Sequence, residues 1–270
     1  MILSHDGSMG DLLAHMHFAV ELSESLKDPI EEFIIQTDVP MKWAVPNHPN
    51  GNVNMTKAAA EFVKPLVESC GSIRKVTISD KIPETCVNIS KFRDFPLNFS
   101  SGSMKDWPYE LCKFHLPHGY SRKLFDVEAD DKLKDKIIFI RTERYNNVKF
   151  DIGCLEPFKD SLVMVGLPRE HNLFEKHHFK VDYIPLNDAL EAAQLMLGAK
   201  GVIGNQSGLF WVAEMVKAKR ILIPCQFQNY QRNGKNYVIP GPCNVICDGG
   251  WHENASSEQK LVSLVNGMLD

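Results

Sequence analysis

MILSHDGSMGDLLAHMHFAVELSES, residues 1–25, holds the pattern on which the fold turns. Met1 to Ser4 is a short apolar run. It empties into a loop of small and polar residues, His5, Asp6, Gly7, Ser8, Met9 and Gly10. From Asp11 to Ser25 apolar residues return at helical spacing, at Leu12, Met16, Ala19 and Leu22. Strand, glycine loop and helix in that order open a β-α-β unit. A second strand follows over Glu32 to Gln36 and ends in Thr37, Asp38, Val39 and Pro40. A helix from about Met55 to Cys70 and a third strand from Arg74 to Ser79 come next. Such alternation predicts a parallel sheet with helices on both faces.

Beyond it the rhythm breaks and then resumes. Between Pro83 and Asp126 the residues Phe92, Phe95, Phe99, Trp107, Tyr109 and Phe114 are interleaved with Pro and Ser, which predicts short helices and loops packed on aromatic anchors. The polar run from Glu128 to Lys136 is a boundary candidate, dividing a lobe over residues 1–130 from one over 131–270. The second half predicts strands at Ile137 to Ile140, Leu162 to Val165, Gly201 to Ile203 and Arg220 to Ile223. Its helices are expected near Glu170 to His177, Asn187 to Leu197 and Gly208 to Lys217, with Asn187 as an N-cap.

Composition narrows the classes. The 270 residues, 44% hydrophobic and 24% charged, suit one or two globular α/β units with a sizeable core. A net charge of -4 argues against a protein devoted to gripping nucleic acid backbone, while small anionic ligands stay open. The seven cysteines form no CxxC pair, and there is no HExxH, so no metal site is expected. The histidines, among them His15, His17, His171, His177 and His178, read as solvated or core-lining. The start lacks the basic and apolar regions of a leader, and no apolar stretch approaches the ~20 residues of a spanning helix. The expected location is the cytoplasm.

Three features carry chemistry, each with a plainer alternative. Ser8, Met9, Gly10 and Asp11 join the first strand to its helix. Asp11 in the first turn is a good cap, and a carboxylate in a cleft also serves as general base for a hydroxyl. Gly204, Asn205, Gln206, Ser207 and Gly208 open the helix of Trp211 and Glu214. Backbone amides exposed there suit a diphosphate, although such residues also simply make good turns. Arg141, Thr142, Glu143 and Arg144 follow a strand, where an Arg can clamp phosphate oxygens or merely pair with Glu on the surface.

In chain order these features resemble the ADP-heptose lipopolysaccharide heptosyltransferases, a family of GT-B glycosyltransferases. Its members open with a strand, a loop ending in Met-Gly-Asp or Leu-Gly-Asp, and a helix, as Ser8 to Leu13 do here. A late strand, a Gly-x-Asp-Ser/Thr-Gly turn and a helix match Gly204 to Glu214, and Val165 to Glu170 is similar to a strand, glycine and helix of the donor half. The resemblance implies two Rossmann-like lobes with parallel sheets and a ligand cleft between them. It implies that Asp11 deprotonates the acceptor hydroxyl, with Ser8, Met9 and Gly10 as the acceptor-side loop. Thr142, Arg144, Gly204, Gln206, Ser207 and Gly208 would hold the donor diphosphate, and Glu214 a sugar or ribose hydroxyl. It implies transfer with inversion, without metal or cofactor, from a nucleotide-diphosphate sugar to a saccharide or other hydroxyl acceptor. Two departures stand out: Gln206 replaces the family's Asp and Trp211 its His, which implies altered sugar contacts. Residues 80–130 match nothing in the family.

Other classes make distinguishable demands. A transferase acting on hydroxylated bases in DNA would need cations near the cleft, for which Lys91, Arg93, Lys105, Lys113, Arg122 and Lys123 are candidates. A dinucleotide-dependent oxidoreductase would be expected to carry GxGxxG, which is absent. A non-catalytic nucleotide-sugar binder would be consistent with Gln206 and Trp211.

Overall fold

The computed structural model describes residues 1–41, 48–94, 104–112, 122–142, 150–224, 227–232, 235–240 and 252–270. Its first sheet is built from β1 (Ile2–His5), β2 (Glu32–Gln36), β3 (Val76–Ser79) and β4 (Val87–Asn88), in the spatial order β3-β2-β1-β4. All three pairings are parallel, with Leu3 beside Phe33 on one side and Val87 on the other. Parallel neighbours need a crossover. Two of these are α1 (Met9–Leu26) and α2 (Lys57–Glu68), the second capped by the Thr56 hydroxyl oxygen, which accepts the Ala59 N–H at 3.2 Å.

A second, six-stranded sheet contains β5 (Ile137–Ile140), β6 (Leu162–Val165), β7 (Asp182–Tyr183), β8 (Gly201–Asn205), β9 (Arg220–Ile223) and β12 (His252–Asn254). Read from β7 its order is β7-β6-β5-β8-β9-β12, again all parallel. Third, second, first, fourth, fifth and sixth is the doubly wound order of dinucleotide-binding sheets, and the first sheet repeats its opening. Each sheet reverses direction beside its first strand, between β1 and β4 in one and between β5 and β8 in the other. Ligands of such sheets bind outside the carboxyl ends of the strands at these reversals. The central strands β5, β6 and β9 are buried along their whole length, which their unbroken apolar runs require.

Helices α3 (Trp107–Cys112), α4 (Pro168–His177), α5 (Ala189–Gly198), α6 (Gly208–Met215) and α7 (Glu258–Leu269) complete the layers, with an antiparallel pair β10 (Phe227–Arg232) and β11 (Lys235–Pro240) between β9 and β12. Helix α1 packs on α6 and α2 on α5. One apolar cluster therefore runs from Leu12 and Met16 through Val63 and Leu66 to Leu195, Phe210 and Trp211, so the helices between the two sheets share a core. A second cluster, with Phe139, Met164, Ile203, Leu261 and Val265, lies on the other face of the larger sheet.

Among the aromatic anchors, Trp107 and Tyr109 are buried, and Tyr109 donates to Glu21 at 2.7 Å while standing edge-on to Phe18. Phe95, Phe99 and Phe114 lie outside the described residues, as does the side chain of Phe92. The cap of α5 differs from the sequence expectation. Asp188, not Asn187, fills it, accepting the Glu191 N–H at 2.8 Å, while the Asn187 N–H donates to the Glu191 carboxylate at 2.7 Å. The Glu191 carboxylate thus holds the backbone just before the cap, and the helix begins one residue later than expected.

Candidate functional site

The loop after β1 is tightly specified. Ser8 donates both its N–H (2.9 Å) and its hydroxyl (2.7 Å) to Oδ2 of Asp11, the third residue of α1. Asp11 is 5% exposed, so this carboxylate is held rather than solvated. Beneath it, the Gly7 N–H donates to Nδ1 of His5 at 3.1 Å, which means that nitrogen carries no proton. The 3.0 Å contact between His5 Nε2 and His15 Nδ1 then has His5 as donor, and both buried rings fix the floor of the loop. A Cβ on Gly7 would meet both His5 Cε1 at 2.6 Å and Asp11 Oδ2 at 3.1 Å, so only glycine passes between them.

At the reversal of the larger sheet, Asn205 ends β8 and clamps the backbone that leaves β5. Its Oδ1 accepts the Thr142 N–H at 3.0 Å and its Nδ2 donates to the Thr142 carbonyl at 2.8 Å. Sequence reasoning placed Asn205 in the turn without a role; the signal was a buried amide at a strand end, beside a strand whose partner was unknown. Thr142 is buried by this clamp, and Arg144 lies outside the described residues. Ser207 caps α6, its oxygen accepting the Phe210 N–H at 3.1 Å while its own proton is left to be donated. Gln206 is 7% exposed. Gly204 is buried, and a Cβ there would stand 3.0 Å from both Ile140 Cβ and Phe210 Cδ2, so its glycine is a packing requirement.

The two loops meet. A Cβ on Gly10 would lie 3.0 Å from Trp211 Cδ1, and one on Gly208 would run into Met9 Cε. The N-termini of α1 and α6, one from each sheet, are thus in contact at their first turns. The two glycines differ in what a methyl group would cost. At Gly10 the obstacle is a fully buried indole, so Gly10→Ala should cost about 1–3 kcal/mol of overpacking. At Gly208 it is the end of a flexible thioether, so Gly208→Ala should cost less than about 1 kcal/mol. Thermal melts of the unliganded variants check this: Gly10→Ala should melt several degrees lower, at about 2–4 °C per kcal/mol, and equal melting points would show that the indole yields.

Glu214, expected at a ligand hydroxyl, is wholly buried and its oxygens are engaged. Oε1 accepts Lys105 Nζ at 2.9 Å and Lys217 Nζ at 3.1 Å, and Oε2 accepts Arg220 Nε at 2.7 Å. Lys105 is 1% exposed and its ammonium lies 5.9 Å from the centre of the Trp211 ring. A sugar hydroxyl would have to displace these cations, so the arrangement ties the 104–106 turn to α6. Trp211 likewise fills the space between helices instead of facing a donor.

Of the other cations considered for nucleic acid, Arg122 pairs with Glu24 at 2.6 Å, Lys91 with Asp94 at 3.8 Å, and Lys123 donates to the Val127 carbonyl at 3.2 Å. Lys113 and the Arg93 side chain lie outside the described residues. Among the described residues, no three His, Cys, Asp or Glu side chains gather in a set able to hold a metal ion. Among them also, no helix is long and apolar enough to cross a membrane.

Two parallel Rossmann-like sheets with their strand reversals turned to a common helix interface make this a GT-B-type fold. No family profile matches the chain, and no curated protein matches it in sequence. Solved structures match it in shape. The ADP-heptose lipopolysaccharide heptosyltransferase II of E. coli aligns over 99% of this chain and 98% of its own at 12% identity and a TM-score of 0.56. A glycosyl transferase of family 9 from Veillonella parvula DSM 2008 aligns over 83% and 80% at 11% identity and a TM-score of 0.54. TibC, described as an iron-containing dodecameric glycosyltransferase from enterotoxigenic E. coli H10407, aligns over 83% of this chain but 57% of its own, at 14% identity and a TM-score of 0.52.

Proposed function

We propose that the chain is a glycosyltransferase that moves a sugar from a nucleotide-diphosphate sugar to a hydroxyl acceptor, with inversion and without a metal ion. The observation that carries this reading is the contact of the α1 and α6 N-termini at the Gly10–Trp211 and Met9–Gly208 approaches. It sets the loop that carries Asp11 against the turn of Ser207 and Gly208. The free amides and dipole of α6 favour an anion there, and the Ser207 hydroxyl adds a donor. To the diphosphate we also assign Thr142, positioned by Asn205, and Arg144, and to the sugar Gln206.

The chemistry follows from that placement. The acceptor oxygen bonds to the anomeric carbon as the bond from that carbon to the phosphate oxygen breaks, and the electron pair leaves with the diphosphate. Asp11 takes the acceptor proton. The amides and cations that bind the diphosphate stabilise its growing charge, which removes the need for a divalent ion. Entry from the face opposite the leaving group gives inversion. The free cysteines Cys70, Cys86 and Cys154 accord with a cytoplasmic setting.

The reading is tested by thermal shift against ADP-, UDP-, GDP- and CDP-sugars, the free diphosphates and NAD(P), because a ligand of the folded state raises its melting point by mass action. Stabilisation by one nucleotide-diphosphate class supports it and names the donor. Stabilisation by NAD(P) alone would point to hydride chemistry and overturn it.

A further inference from the structure

The reversal of the first sheet, between β1 and β4, holds a polar cluster that none of the roles above uses. Asp6 leaves the end of β1 half-buried. Its Oδ1 accepts the Ser90 hydroxyl, its Oδ2 accepts Asn88 Nδ2 at 2.8 Å, and its own N–H donates to Ser90 Oγ at 3.0 Å. The Asp6 carbonyl accepts Asn54 Nδ2 at 2.9 Å, so two separate segments, one at Asn54 and one at Asn88 and Ser90, converge on one residue. Beside them Ser4 stands in register with Asn88, and its buried hydroxyl has no hydrogen-bond partner among the described residues. An orphan hydroxyl next to a preorganised carboxylate and two amides is a set of groups suited to alcohols.

Building on the transferase reading, we infer that Asp6, with Asn88 and Asn54, forms the acceptor subsite and selects an uncharged polyhydroxyl acceptor over an anionic one. Position supports this, since the cluster lies at the carboxyl ends of β1 and β4, where sheets of this order take their ligands, and shares a loop with Asp11. Chemistry supports it too. Both side-chain donors to Asp6 are neutral, and Lys91, whose charge also acts on Asp6, is paired with Asp94 at 3.8 Å. Although burial works in the other direction, the Ser90 and Asn88 hydrogen bonds hold its carboxyl below the ordinary value of 3.8, and it stays an anion at neutral pH. A phosphorylated sugar or nucleic acid strand arriving here would meet the like charge of Asp6, with Asp11 five residues on in the same loop. A sugar's hydroxyls would instead donate to Asp6 through the lone pairs its neighbours leave unused.

The test measures nucleoside-diphosphate release from the nucleotide sugar that stabilises the protein most. It compares neutral methyl glycosides and disaccharides with matched sugar phosphates and uronates as acceptors. The inference predicts that neutral acceptors raise release above the rate with water and that anionic ones do so at least roughly tenfold less well. It also predicts that Asp6→Asn, which keeps the shape, collapses this preference by about tenfold or more. Equal use of anionic acceptors by the unaltered protein would overturn the inference, as would a failure of every neutral saccharide. If Asp6→Asn stopped release to all acceptors and to water alike, Asp6 would be the base and not a selector. The comparison on the unaltered chain stands even if the variant folds poorly. Absence of any release from the nucleotide sugar, water included, would instead mark failure of the transferase reading itself.

Discussion

Asp11→Asn should lower turnover by about 10²–10⁴-fold and leave the affinity for the nucleotide diphosphate nearly unchanged. The amide is the informative substitution because Asp11 has two jobs in this geometry. Its Oδ2 caps the start of α1 by accepting from the Ser8 N–H and hydroxyl, and an asparagine oxygen can accept both. What the amide cannot do is take up a proton. The cap therefore survives, at the loss of a dipole interaction of about 0.3–1 kcal/mol, while the base is removed. Asp11→Ala removes both and should cost a further ~1 kcal/mol of stability. Turnover that persists in Asp11→Asn would leave Asp11 with the cap alone.

Glu214→Leu should be the most destabilising single change at the helix interface, by roughly 3–5 kcal/mol. The reason is the company the carboxylate keeps. Lys105 and Arg220 are as buried as Glu214 itself, and both direct their nitrogens at it. Removing the anion strands cations away from water, which costs far more than the pair's net contribution. At about 2–4 °C per kcal/mol the melting point should fall on the order of 10 °C. Lys105→Met should cost less, because Glu214 then keeps Lys217 and Arg220. If the two variants melted alike, and both near the parent, the cluster would be better solvated than its burial indicates.

Much of this was legible in the sequence, for physical reasons. A strand buried on both faces must be apolar throughout, so Ile137 to Ile140 and Leu162 to Val165 announced themselves, and the observed limits agree. The two-residue strands Val87–Asn88 and Asp182–Tyr183 have no periodicity to read. Helix α7 does carry a signal, Ser257 as cap with Leu261, Val265 and Met268 on one face. The candidate loops were found because glycine at a strand-to-helix turn has a narrow meaning. What the sequence withheld was pairing across distance. Nothing in it says that Lys105 meets Glu214, 109 residues away, that His5 meets His15, or that Asn205 grips Thr142. Glu214 was read as a ligand contact because a carboxylate near a phosphate turn has two uses, and only its neighbours decide between them.

The most direct test of the central claim is to incubate the chain with its stabilising nucleotide sugar and a saccharide acceptor, then follow nucleoside diphosphate and glycosylated product together. The account predicts equimolar release and transfer, both slowed about 10²–10⁴-fold in Asp11→Asn. Binding of the nucleotide sugar with neither release nor transfer, to any hydroxyl acceptor or to water, would contradict it and leave a protein that holds such donors without turning them over.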